Sequence, residues 1–166
     1  MLKQIELEKF SNVQKLIGRD WMLITAGNED GVNTMTASWG LMGELWHKPV
    51  AVCFVRPQRY TYEFTEREER LSLSFFEGEQ REALAFCGKA SGRDCDKIAE
   101  AGLSTAFYGN TPYIAEAKYV LICRKIYVDD LREGNFLTSE VPQRHYPAKD
   151  YHRVYVCEIE TVLENV

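Results

Sequence analysis

Apolar residues fall into short alternating or continuous runs broken by turn residues, a pattern of many strands and few helices. Trp21-Met22-Leu23-Ile24-Thr25-Ala26-Gly27 reads as a strand. Asn28-Glu29-Asp30-Gly31 supplies the turn, with Asp30-Gly31 suited to a tight hairpin, and residues 33–39 form the returning strand. Residues 50–55 are apolar at both parities, the mark of a strand covered on both faces, and Pro57 ends the run. Residues 71–76 alternate, and residues 118–128 and 153–163 are rich in Val, Ile and Tyr. Ser11-x-x-Gln14 is a capping box ahead of Val13, Leu16 and Ile17 and predicts a short N-terminal helix. Residues 60–70 carry Glu63, Glu66, Arg67 and Arg70 at helical spacing, and residues 79–87 and 94–101 read as further helices. Strands early and late, without a βαβα rhythm, predict an antiparallel barrel or sheet with short peripheral helices, mainly β or α+β.

Composition narrows the picture. The 166 residues include three Trp, nine Tyr and eight Phe, enough to fill one core and too apolar for a disordered chain. One domain over residues 1–166 is expected. A formal charge of −5 argues against a nucleic-acid partner. The acidic N-terminal segment does not resemble a signal peptide. The longest uncharged run, residues 101–115, is too short and too broken by Gly and Pro to span a bilayer. Five cysteines without C-x-x-C spacing suit a reduced, cytoplasmic protein rather than a disulfide framework or a zinc site. His47, His145 and His152 show no metal-ligand spacing, and neither G-x-S-x-G nor G-x-G-x-x-G occurs.

Three segments carry candidate chemistry. On a strand, Thr34, Thr36 and Ser38 point to one face and Met35, Ala37 and Trp39 to the other. The hydroxyls suit a polar ligand and Trp39 a planar ring, although an ordinary half-exposed strand has the same spacing. In Arg56-Pro57-Gln58-Arg59-Tyr60-Thr61, two arginines sit where a strand gives way to a helix, a placement that suits phosphate. A Thr cap with arginines paired to glutamates accounts for it equally. Ser91-Gly92-Arg93-Asp94, with Lys89 before it and Lys97 one turn on, gathers positive charge at a helix start, and Ser91-x-x-Asp94 also reads as a simple cap. Asp150 and His152, just before the last strand, either face a pocket or cap a loop.

Taken in order, residues 33–39, 56–61 and 91–94 resemble the flavin reductase-like proteins of the FMN-binding split β-barrel superfamily, the flavoredoxin type in particular. The resemblance runs over nearly the whole chain, including Asp150-Tyr151-His152-Arg153-Val154-Tyr155. It implies an antiparallel split barrel, a homodimer and FMN near the subunit interface. By the same resemblance Asn33, Thr34, Thr36, Ala37, Ser38 and Trp39 hold the flavin ring and ribityl chain. Arg59 and Thr61, with Arg56, Gln58 and Tyr60, take the phosphate, and Ser91, Gly92, Arg93 and Lys97 complete the anion site. The implied activity is hydride transfer from NAD(P)H to FMN with onward electron transfer. The alternative is an FMN-binding electron carrier reduced by a protein partner. Neither a catalytic acid or base nor a metal is implied.

Overall fold

The computed structural model describes residues 2–5 and 12–165, so Ser11 of the capping box lies outside the described residues. The strands are β1 (Leu2–Gln4), β2 (Met22–Asn28), β3 (Gly31–Ala37), β4 (Gly40–Leu45), β5 (Lys48–Val55), β6 (Arg70–Phe75), β7 (Thr105–Tyr108), β8 (Thr111–Ile114), β9 (Tyr119–Asp130) and β10 (Arg153–Asn165). Among the described residues four α-helices sit around them: α1 (Thr61–Arg67), α2 (Arg81–Lys89), α3 (Lys97–Glu100) and α4 (Glu140–His145). The main sheet is antiparallel and runs β3-β2-β6-β9-β10-β5-β4, with β1 added to β10.

The strand order itself forces the sheet to curl. Strands β3 and β4 lie at its opposite edges, yet only Ser38 and Trp39 join them. Seven flat strands would hold those edges roughly 29 Å apart at about 4.8 Å per strand. A two-residue link reaches about 10 Å. The edges therefore meet at Ser38-Trp39, and because β3 and β4 do not pair among the described residues, the barrel stays split along that seam. Register shifts on β10 at Val156/Cys157 and Ile159/Thr161 supply bends of the kind a curled sheet needs.

Inside the barrel, Met22, Ile24, Met35, Cys53, Leu73 and Tyr155 belong to one buried cluster. Outside it, Leu23, Leu84, Cys87, Ile114 and Val120 form a second, between the sheet and α2. Neighbours such as Met22, Leu23 and Ile24 are all buried because β2 is covered on both faces.

Several expected elements move. The hairpin loop is Glu29-Asp30, since Asn28 pairs with Gly31, and the Asn28 side chain accepts from Asp30 N at 2.9 Å. Gly27 is needed there: its φ is +139°, and a Cβ would lie 2.1 Å from the Gly31 carbonyl. The strand expected to reach residue 39 stops at Ala37, where the chain crosses the seam. The helix over 60–70 is shorter, because Arg70 already pairs with Arg124 in the sheet. The helix over 94–101 shrinks to Lys97–Glu100 and is capped by Asp96, which accepts from Ala99 N at 3.2 Å. Ser91 and Asp94 form a turn instead. Near the N-terminus the helical turn is a π-helix, Lys15–Arg19, that buries Leu16 and Ile17.

Candidate functional site

The seam opens into a cleft of about 200 Å³. Thr36, Ala37, Ser38 and Trp39 line it from the crossing, Phe54 and Arg56 from the end of β5, Arg59 from the following turn and His152 from the start of β10. Because β3 is an edge strand, alternate backbone N–H and C=O groups along it lack a ladder partner and can take a polar ligand edge. Thr36 Oγ1 donates to the Leu84 carbonyl of α2 at 2.5 Å, fixing the strand against that helix. The Trp39 indole is 42% exposed, with its ring 5.3 Å from His152 and 5.2 Å from His145.

The four basic residues expected in one pocket divide into two kinds. Arg59 donates to the carbonyls of Gly88 at 2.7 Å and Cys87 at 3.2 Å, and Lys97 Nζ to those of Cys87 and Ala90, both at 3.3 Å. These oxygens carry the partial negative charge of the last turn of α2. Neither cation has a carboxylate partner among the described residues. Lys97 is only 3% exposed, and burial, with Arg59 next to it, pulls its ammonium down to about 8. Burial likewise lowers Arg59. By contrast, Arg56 is paired with Asp150 and donates to the His145 carbonyl at 2.9 Å. Arg93 is paired with Glu63 at 2.5 Å and lies over the Tyr60 ring. Gln58 donates to Asp150 at 2.6 Å.

The remaining candidates stand behind the cleft. Asn33 Nδ2 donates to Thr61 Oγ1 at 2.7 Å, and both residues are buried. Gly92 packs directly on that pair, since a Cβ on it would lie 2.0 Å from Asn33 Oδ1. Thr34 is fully buried: its hydroxyl donates to the Ile24 carbonyl and accepts from Thr25 Oγ1 at 2.9 Å. The three hydroxyls expected in a row differ in what they are free to bind. Thr34 is enclosed, Thr36 is bound to α2 and Ser38 is exposed at the seam. Ser91 Oγ accepts from Arg93 N at 3.2 Å. Asn33, Tyr60, Gly92, Arg93 and Lys97 line a second groove of about 590 Å³ at the start of β3, whereas the cleft lies at its end.

Of the cleft residues, Phe54 was not singled out from the sequence, and His152, left between facing a pocket and capping a loop, lines the cleft. Phe54 has the parity opposite to buried Cys53 and Val55, a signal hidden in a run that is apolar throughout. His152 precedes Arg153, which pairs with Val55, so the sheet register brings it beside the end of β5. Its Nδ1 lies 2.8 Å from the Tyr146 hydroxyl, and burial, with Arg56 adding to it, pulls the imidazole down to about 4.

A curled antiparallel sheet, split along a seam that opens into a tryptophan-walled cleft, defines a mainly β-protein of the split-barrel kind. The chain belongs to the flavin reductase like domain family, whose model matches residues 15–165. No curated protein matches it. Among solved structures it resembles the flavoredoxin of Methanosarcina acetivorans, with 21% identity and a TM-score of 0.65 over 88% of this chain and 68% of that one. An FMN-binding domain of a flavin reductases-like enzyme from Shewanella baltica aligns at 17% identity and a TM-score of 0.67, covering 99% and 77%. An NADH:FAD oxidoreductase of Streptomyces globisporus, in complex with NAD and FAD fragments, aligns at 16% and 0.65, covering 88% and 74%. These likenesses show the fold. Among the described residues no helix is long and apolar enough to cross a membrane, and no cluster of side chains is arranged to hold a metal.

Proposed function

We propose that the chain is a flavin reductase-like oxidoreductase that binds FMN, accepts a hydride from NAD(P)H and passes electrons onward. The observation that carries this reading is Arg59, a cation without a carboxylate partner among the described residues, lining a cleft walled by an exposed indole, with Lys97 behind it on the same Cys87 carbonyl. That donor set suits a phosphate attached to a planar ring.

In this reading Thr36, Ala37, Ser38 and Trp39 hold the ring, with Phe54 opposite. Arg59 and Lys97 face the phosphate, with Ser91 and Gly92 beside them. Asn33 and Thr61 act from behind by fixing β3 to α1, Thr34 by fixing it to β2 and Tyr60 by packing under Arg93, while Arg56, Gln58 and Arg93 hold the surrounding loops through their carboxylate and carbonyl partners. Bound FMN supplies the hydride and electron chemistry, and the protein binds, orients and shields it.

A second copy of the chain completes the site. Leu41, Val52, Val156 and Tyr127 form a row across β4, β5, β10 and β9 on the face opposite the barrel interior, and Trp46 packs on Tyr127. Leu41 and Trp46 are 60% and 56% exposed. This apolar face continues into the cleft through Phe54, so its burial in a homodimer also closes the flavin site.

Purified protein mixed with FMN and then, anaerobically, with NADH or NADPH tests the reading. A perturbed flavin spectrum followed by rapid bleaching is expected. Bound flavin that stays oxidised with both donors contradicts the reductase and leaves an electron carrier. Failure to perturb the spectrum contradicts flavin binding itself.

A further inference from the structure

His152 meets the cleft with one ring nitrogen committed and the other free. Nδ1 is 2.8 Å from the Tyr146 hydroxyl, and Nε2 has no protein partner among the described residues. The ring lines the seam cleft, 5.3 Å from the Trp39 ring and 6.3 Å from that of Phe54. Tyr146 is buried, makes no other side-chain hydrogen bond among the described residues and lies beneath the Arg56 guanidinium at 5.0 Å. Asp150 in turn fixes Arg56.

This arrangement selects a tautomer. A neutral imidazole has one N–H donor and one acceptor nitrogen. When the Tyr146 O–H donates into Nδ1, the single ring hydrogen resides on Nε2. The reverse arrangement strands a buried phenol hydrogen without an acceptor, which is unfavourable. Burial keeps the phenol protonated and the imidazole uncharged. Among the described residues no carboxylate lines the cleft, while Arg56 and Arg59 both do.

We propose that Tyr146 is a positioning residue that locks His152 in its Nε2–H form, and that His152 donates this hydrogen bond into the seam cleft, to an electron-rich edge of the bound ligand. The ligand class is a planar heterocycle whose carbonyl or ring nitrogen gains negative charge. On the FMN reading, on which this part rests, that edge is the one that gains electron density when the flavin is reduced. A fixed donor aimed at growing negative charge favours the reduced ligand over the oxidised one.

Two measurements test it. Long-range ¹H–¹⁵N correlation on the flavin-free protein reads the His152 tautomer directly. The Nε2–H form is expected in the wild type and a mixture in Tyr146→Phe, whereas an Nδ1–H form, or no change in Tyr146→Phe, overturns the proposal. With FMN, His152→Leu should weaken the reduced form about five- to tenfold more than the oxidised form, and His152→Gln, which keeps a donor, should recover most of the loss. Equal losses for both redox forms overturn the donor role. If the wild type takes no FMN, the functional reading fails, and the tautomer measurement still decides the Tyr146 role.

Discussion

Arg59 and Lys97 donate to the same oxygen, the carbonyl of Cys87, at 3.2 and 3.3 Å. Like charges are held together there by the carbonyl end of α2 and by nothing with a full negative charge. The sign of the pH response follows. Lys97, pulled down to about 8, loses its proton as pH rises through that value. FMN affinity should therefore fall between pH 7 and pH 9, while riboflavin affinity stays flat. A bound phosphate raises the Lys97 value, so the midpoint in the complex lies above that of the free protein. Fluorescence titrations of both flavins across this range check the prediction, and parallel curves count against Lys97.

Gly92→Ala should destabilise the protein by about 1–3 kcal/mol, the range for an atom forced into filled space. The added methyl meets Asn33 Oδ1 and the Tyr60 ring, and moving Asn33 breaks its bond to Thr61. Urea unfolding measures the loss. A midpoint equal to wild type shows that the 91–94 turn yields at no cost.

The main strands were legible because their burial is written as apolar residues, continuous where both faces are covered, as in β2; β5 is apolar throughout as well, yet its Val52 and Phe54 are only half-buried, so the cover expected on both its faces is incomplete. Strand β4 was not legible, since Gly40-Leu41-Met42-Gly43-Glu44-Leu45 has two glycines and is mostly exposed. The β7–β8 hairpin lies in a run whose glycines and proline read as loop. At the site, residue type pointed to the right segments, yet it could not show which polar groups are already spent. Thr61 and Thr34 look like ligand hydroxyls in sequence, and each is consumed by a partner 28 and 9 residues away. The same long-range pairing separates Arg93, neutralised by Glu63, from unpaired Lys97 four residues on.

His152 gives a second pH signature, on stability. Its folded value of about 4 lies below the ordinary 6.5, so between these values the unfolded chain binds more protons. The stability contributed by neutral His152 is present above pH 6.5 and is lost as the solution is acidified towards pH 4. Wild type should lose about 1–2 kcal/mol more than His152→Gln between pH 7 and pH 5. Identical pH profiles in chemical denaturation contradict a buried neutral imidazole.

Trp39 is one of three tryptophans and the one that walls the cleft. FMN should quench the protein's intrinsic fluorescence, and Trp39→Phe should remove most of that quenching while Trp21 and Trp46 remain. An unchanged quenching amplitude in Trp39→Phe places the flavin elsewhere.

The most direct test of the site is the affinity difference between FMN and riboflavin, measured by calorimetry in wild type and in Arg59→Gln. A charge-assisted phosphate contact is worth about 1.5–3 kcal/mol, so wild type should prefer FMN by at least roughly tenfold, and Arg59→Gln should lose most of that preference. Equal affinity of the wild type for both flavins, or a preference that survives in Arg59→Gln, contradicts a phosphate site at the end of α2.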